Sequence, residues 1–172
     1  AAIAVLSLSL ISLPAATAAT PLPANIVKAG VITVGIDATY SPNEFKDKSG
    51  KAVGWEVDLF DAVAKQLGYS ASQVKWVTAS FDSVIQPGKK SFDFDINQVS
   101  ITPERQKAVD FSSGYYDVAQ TVVALKSSKI ATAKTIAALS AAKLGAATGT
   151  TSLTAITSTI KTKSQPSVYN TN

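Results

Sequence analysis

The sequence predicts an α/β fold with parallel sheets, split between a larger N-terminal unit and a second unit of different composition. Short apolar runs rich in β-branched residues alternate with stretches of helical periodicity, an order that parallel α/β sheets impose. Hydrophobic residues make up 46 % and charged residues 16 % of the 172, enough for one core or two small ones. After Lys126 the composition shifts toward Ala, Thr and Ser, which suggests a second lobe.

The elements follow in order. Residues 1–13 are an apolar run, followed by Pro14 and the small residues Ala15, Ala16, Thr17, Ala18 and Ala19. This matches the core and small-residue end of a secretory signal peptide, with cleavage after Ala18 or Ala19. A buried N-terminal helix is the competing reading. A membrane-spanning helix needs about 20 apolar residues, and the run is short for that. With no initiator Met and no basic residue before Lys28, residues 1–19 are expected to be a signal-peptide remnant.

Residues 31–36 form a β-branched run between Gly30 and Asp37 and read as a buried strand. Residues 37–54 are loop-rich, and residues 48–51 form a tight turn between short strands. Residues 55–67 read as an amphipathic helix, with Leu59, Phe60, Val63, Ala64 and Leu67 on one face and Gly68 as its stop. Residues 74–78 are a strand. A helix starts at Phe81 and breaks at Pro87-Gly88. Residues 92–96 alternate apolar and acidic positions, as a strand does.

A capped helix is expected from Thr102, a loop over 110–116 and a strand over 119–125. Residues 136–142 read as a helix, 143–147 as a strand, 151–160 as a weak helix, and 167–169 as the start of one more strand.

Composition excludes several chemistries. The chain has no Cys, His or Met, so it has no thiol chemistry, no thiolate or imidazole metal site and no histidine-dependent serine triad. No metal or cofactor is expected. The formal net charge is +4, but the lysines are scattered and no basic–aromatic stripe suggests nucleic acid.

Arg105 is the only arginine among the 16 Lys and Arg residues. It lies in Ser100-Ile101-Thr102-Pro103-Glu104-Arg105. Thr102 suits an N-cap and Pro103 a first helical position. The free N–H groups and dipole of that helix start would favour an anion. A guanidinium grips a carboxylate with two bonds, which lysine does not. The same residues also suit a capped surface helix with a solvated arginine. Gly149-Thr150-Thr151-Ser152 lies between a strand and a helix, where open α/β sheets bind ligands. On its own it suits a plain N-cap better than a ligand site.

Taken in order, the motifs resemble the family 3 solute-binding proteins. They are the stretch from Gly30 through Asp37, Tyr40, Pro42 and Glu44-Phe45, then Val53-Gly54-Trp55-Glu56-Val57-Asp58-Leu59, then Phe92-Asp93. The arginine segment follows, then Val109-Asp110-Phe111-Ser112 with Tyr115-Tyr116, and lastly Gly149-Thr150-Thr151. The resemblance spans residues 24–156. It implies a two-lobed periplasmic-binding-protein-like fold with a hinge. Lobe one would cover residues 20–118 and an incomplete lobe two residues 119–172, with the first hinge crossing at 117–120.

In that family the arginine matching Arg105 binds the α-carboxylate of a free amino acid, assisted by Thr151 and its neighbour Thr150. Ser100 and the Gln98 carbonyl would meet the α-ammonium. Tyr40 and Phe81 would wall the ligand's side chain, Asp37 would read its polarity, and Asn97 would line the same strand end.

The family pattern differs here at Asn43, which replaces an aromatic residue, and at Gln86-Pro87-Gly88, where the helix is short. It also runs on past Asn172, so a fragment of a longer protein is expected. The implied partners are a polar amino acid, or a broad range of them, and the membrane permease of an ABC importer, with no nucleic acid. The expected product is a monomer, periplasmic or extracellular. Two alternatives share the fold: a sensory input domain, and a secreted dehydratase using Glu44, Glu56 or Glu104 as general acid.

Overall fold

A computed structural model describes residues 30–170 of the chain. The expected signal peptide over 1–19 lies outside the described residues. The first sheet holds β1 (Ile32–Ile36), β5 (Val74–Thr78) and β6 (Phe94–Asp95) in the order β5-β1-β6, both pairings parallel. Central β1 carries Ile32, Val34 and Ile36, which share one face, at 0–1 % exposure, and on the other face Gly35 is buried and Thr33 half-buried. The β1–β5 register pairs Ile32 with Val74 and Ile36 with Thr78. Thr33 ties β1 to the chain before β6, since its N–H and hydroxyl both donate to Asp93 Oδ2, at 2.8 and 2.5 Å.

Between β1 and the first helix lies a small antiparallel sheet of β2 (Thr39–Tyr40), β3 (Glu44–Lys46) and β4 (Ala52–Val53). The expected turn joins β3 to β4, held by Asp47 Oδ1 accepting from the Ser49 and Lys51 N–H groups at 2.8 and 3.0 Å. Helix α1 (Trp55–Gln66) follows. It ends as Gly68 predicts: the Tyr69 N–H reaches the Ala64 carbonyl and the Gly68 N–H the Lys65 carbonyl, the Schellman pattern.

The buried face of α1 is rotated from the one expected. Val63 is 42 % exposed, whereas Glu56, Val57, Phe60 and Ala64 are buried. The first core joins these apolar residues to β1, Ala52, Val74 and Ile96. Phe60 sets its ring edge against Trp76 at 5.8 Å.

Helix α2 spans only Phe81–Ile85. The expected helix from Thr102 is a single 3-10 turn, Arg105–Lys107. Thr102 still acts as a cap, accepting the Arg105 N–H at 3.3 Å, but one turn has no helix dipole to offer an anion. The expected strand over 119–125 is not formed. That stretch has no paired neighbour among the described residues, and Val123 and Leu125 are 89 % and 78 % exposed. β-Propensity makes a strand only where a partner can take its N–H and C=O groups.

The C-terminal part holds β7 (Gly145–Ala147) and β8 (Ser167–Tyr169), paired in parallel, with α3 (Thr151–Thr154) passing into a π-helical stretch, Ala155–Ile160. The helix expected over 136–142 is a 3-10 turn, Ala137–Leu139. A second, small core gathers Ala142, Leu144 and Ile156, with Ile130, Ala146 and Ile160 packed against it.

Candidate functional site

The site is built around Arg105, 9 % exposed. Its guanidinium donates from Nη1 to the Ser100 carbonyl at 2.8 Å and from Nη2 to the Gly149 carbonyl at 2.7 Å. It lies over the Phe81 ring, 5.4 Å from the centroid, within cation–π range. Burial lowers its pKa, yet an arginine stays charged. One side chain thus links the segment after β6 with the loop between β7 and α3.

The Gly149 carbonyl that Arg105 meets directly precedes Thr150 and Thr151. The Ser100 and Thr151 hydroxyls are 3.4 Å apart. Gln120 braces the start of α3, donating from Nε2 to Thr151 Oγ1 at 3.1 Å and accepting the Ser152 hydroxyl at 2.8 Å. Thr150 takes a capping role: its Oγ1 accepts the Leu153 N–H at 3.2 Å and donates to the Ala147 carbonyl at 2.7 Å. Sequence reasoning did not single out Gly149 and Gln120 individually as contacts.

On the first sheet, the other candidates gather at the ends of β1 and β6. Asp37 is 6 % exposed and Asn97 3 %. Burial raises the Asp37 pKa, partly offset by the Thr39 hydroxyl. Tyr40 is 44 % exposed on β2. Gln98 has a left-handed backbone, φ 46, a conformation costing a non-glycine residue roughly 1 kcal/mol or more. A cavity of about 280 Å³ is lined by residues 98–101 and 111–118, near the lower end for small-molecule pockets. It borders the site on the Gln98–Ser100 side; Arg105, Asp37 and Thr151 do not line it.

The structure adds a carboxylate cluster that sequence reasoning missed. Glu44 and Glu56 are each 0 % exposed. Burial, then the neighbouring Glu56, Asp95 and Asp37, push the Glu44 pKa up to about 8. Burial and Glu56 push Asp95 to about 7. Both Glu44 oxygens, Asp95 Oδ1 and Asn97 Nδ2 lack a hydrogen-bond partner among the described residues. The Gln98 amide lies near enough to Glu44 to moderate its shift but makes its hydrogen bond to Glu56. No group of acidic residues among those described is placed to hold a metal ion. A sequence signal for Glu56 did exist, since it stands four residues before Phe60 and eight before Ala64, on the buried stripe of α1.

Parallel pairings in two sheets, with a buried arginine bonded to the Gly149 carbonyl between β7 and α3, define an open α/β protein. The chain belongs to the bacterial extracellular solute-binding proteins, family 3, whose model matches residues 32–170. It has the periplasmic-binding-protein fold, and solved structures bear this out. A structure of an ancestral arginine-binding protein bound to glutamine matches with a TM-score of 0.67 and 33 % identity, over 84 % of this chain and 62 % of that one. The ancestral amino acid-binding protein AncCDT-1, a precursor of cyclohexadienyl dehydratase, matches at 0.69 and 33 %, over 83 % and 62 %. Among curated proteins, the L-cystine-binding protein TcyJ of Escherichia coli (strain K12) is 42 % identical over 90 residues, covering 50 % of this chain and 32 % of that protein. The chain spans about a third to a half of the length of the curated relatives it matches.

Proposed function

We propose that this chain is the ligand-gripping part of a receptor that binds a free amino acid between two lobes and delivers it to an ABC-type importer. The observation that carries this reading is Arg105, buried on Phe81 and sharing its N–H donors between the Ser100 and Gly149 carbonyls. A ligand carboxylate forms charge-assisted, bidentate bonds with a guanidinium, so it competes well against neutral carbonyls for the same donors. Thr150 and Thr151 support that carboxylate from the second lobe. Ser100 and the Gln98 carbonyl receive the ammonium group. Tyr40 and Phe81 flank the side chain, while Asp37 and Asn97 read its polarity.

Lobe one is residues 20–118 and lobe two 119–172, joined through 117–120. Closing the lobes withdraws the zwitterion from water and presents a closed surface to the permease. The protein works as an exported monomer, in keeping with the extracellular description of its family. The relatives are named for different ligands, cystine and arginine among them, so the side-chain pocket sets the choice. Asp37 is the one acidic residue among the proposed contacts, which suits a polar or broad range of amino acids over a strictly basic one. The curated relatives are named as binding proteins, which favours binding over dehydratase chemistry.

Calorimetric titration of the complete gene product with the common amino acids tests this reading. The parent is expected to bind at least one, and Arg105→Ala to lose about 2–5 kcal/mol of that affinity. Undiminished binding by Arg105→Ala would refute the carboxylate clamp. Turnover of a prephenate-like acid would favour the enzyme.

A further inference from the structure

Glu56 is the second residue of α1, 0 % exposed. It receives donors from two other parts of the chain. Its Oε1 accepts the Tyr115 hydroxyl and, at 3.3 Å, the Gln98 N–H, while its Oε2 accepts the Gln98 side-chain amide. Gln98 is the residue held at φ 46. The neighbouring Trp55 packs on the same loop as Tyr115, with ring centroids 6.0 Å from Tyr115 and 5.6 Å from Tyr116. The start of α1 therefore grips both walls of the cavity bounded by 98–101 and 111–118.

We propose that Glu56 is a positioning residue for ligand binding, holding Gln98 in its left-handed conformation and fastening the Tyr115 loop so that the Gln98 and Ser100 groups face the ligand. The proposal rests on the amino-acid-binding reading above. The chemistry explains why a carboxylate stands here. Tyr115 and Gln98 bring only donors to this point, and an ionised carboxylate is acceptor-only, with two oxygens to receive them. A carboxamide would turn one acceptor into a donor. The left-handed backbone at Gln98 persists only where its surroundings over-determine it, and Glu56 holds both its backbone N–H and its side chain. Ser100, two residues on, then passes its carbonyl to Arg105 and its hydroxyl toward Thr151.

The test compares the parent with Glu56→Gln, Tyr115→Phe, the double variant, and Asp58→Asn as a control on the exposed side of α1. Amino-acid affinity by calorimetry and amide hydrogen exchange are read on the complete gene product. Glu56→Gln is expected to weaken binding at least tenfold and Tyr115→Phe about threefold. The double variant should be no worse than Glu56→Gln, as members of one network are not additive. Exchange at the Gln98 amide should quicken at least tenfold in Glu56→Gln while β1 amides stay unchanged. Parent-like affinity in Glu56→Gln, or exchange raised evenly along α1 with none added at Gln98, would overturn the proposal. A parent that bound no amino acid would overturn the amino-acid-binding reading instead, and exchange at Gln98 would then decide the positioning role alone.

Discussion

Glu44 illustrates how far one side chain can be moved from its ordinary chemistry. It is fully enclosed, with Glu56, Asp95 and Asp37 nearby. Its pKa of about 8, and that of about 7 for Asp95, lie above the unfolded values, so the folded state binds the extra protons. The stabilisation from this is full below pH about 4 and is lost as pH rises through 7 to 8. Thermal unfolding should therefore give a lower Tm at pH 8.5 than at pH 5. Glu44→Gln should flatten that slope and raise the Tm at pH 8.5, each pKa unit being worth about 1.4 kcal/mol. Gly54 is constrained differently. It has φ 131, and a Cβ there would lie 2.1 Å from the Asn43 carbonyl oxygen. Gly54→Ala is predicted to cost more than about 2 kcal/mol, read as a shift in the urea midpoint.

Among the elements, the segment from Thr102 makes one 3-10 turn and not a helix, so in the proposed function the grip on a carboxylate rests on the Arg105 side chain. Arg105→Lys should then lose tenfold or more in affinity, because an ammonium cannot form the paired bonds of a guanidinium. Thr102→Val should cost about 1 kcal/mol of stability and leave affinity within about threefold. Residues 119–125 make the complementary point. Their β-branched run, Thr121-Val122-Val123, favours a strand, but Val123 and Leu125 lie open to solvent. By contrast β7 and β8, which do find each other, form where expected. Amide exchange in this chain should be fast over 119–125 and slow in β1.

Across the molecule, the two cores differ in size. The first unites β1, β4, β5 and α1 with Ile96. The second rests on Ala142, Leu144 and Ile156, and a core that small stabilises little by burial. Hydrogen exchange should show weaker protection after Lys126 than in residues 32–96; equal and strong protection in both would contradict this. Arg105 and Ser100 provide hydrogen bonds between the two parts, so an amino acid at Arg105 should slow exchange on both sides at once.

Local patterns alone determined β1, α1, β5, α2, β6, β7, α3 and β8, because each is a short run whose periodicity, caps and stops act within a few residues. They also singled out Arg105 and the Gly149–Thr151 segment, since one arginine among lysines and a Gly-Thr-Thr turn are visible in a line of text. Tertiary structure decided the rest. Residues 119–125 needed a neighbouring strand, Val63 needed the true orientation of α1, and the helix after Thr102 needed more than a cap. The carboxylate cluster draws on Asp37, Glu44, Glu56 and Asp95, and its donors on Gln98 and Tyr115. No spacing rule connects such positions; packing alone brings them within reach of one another and sets their charge.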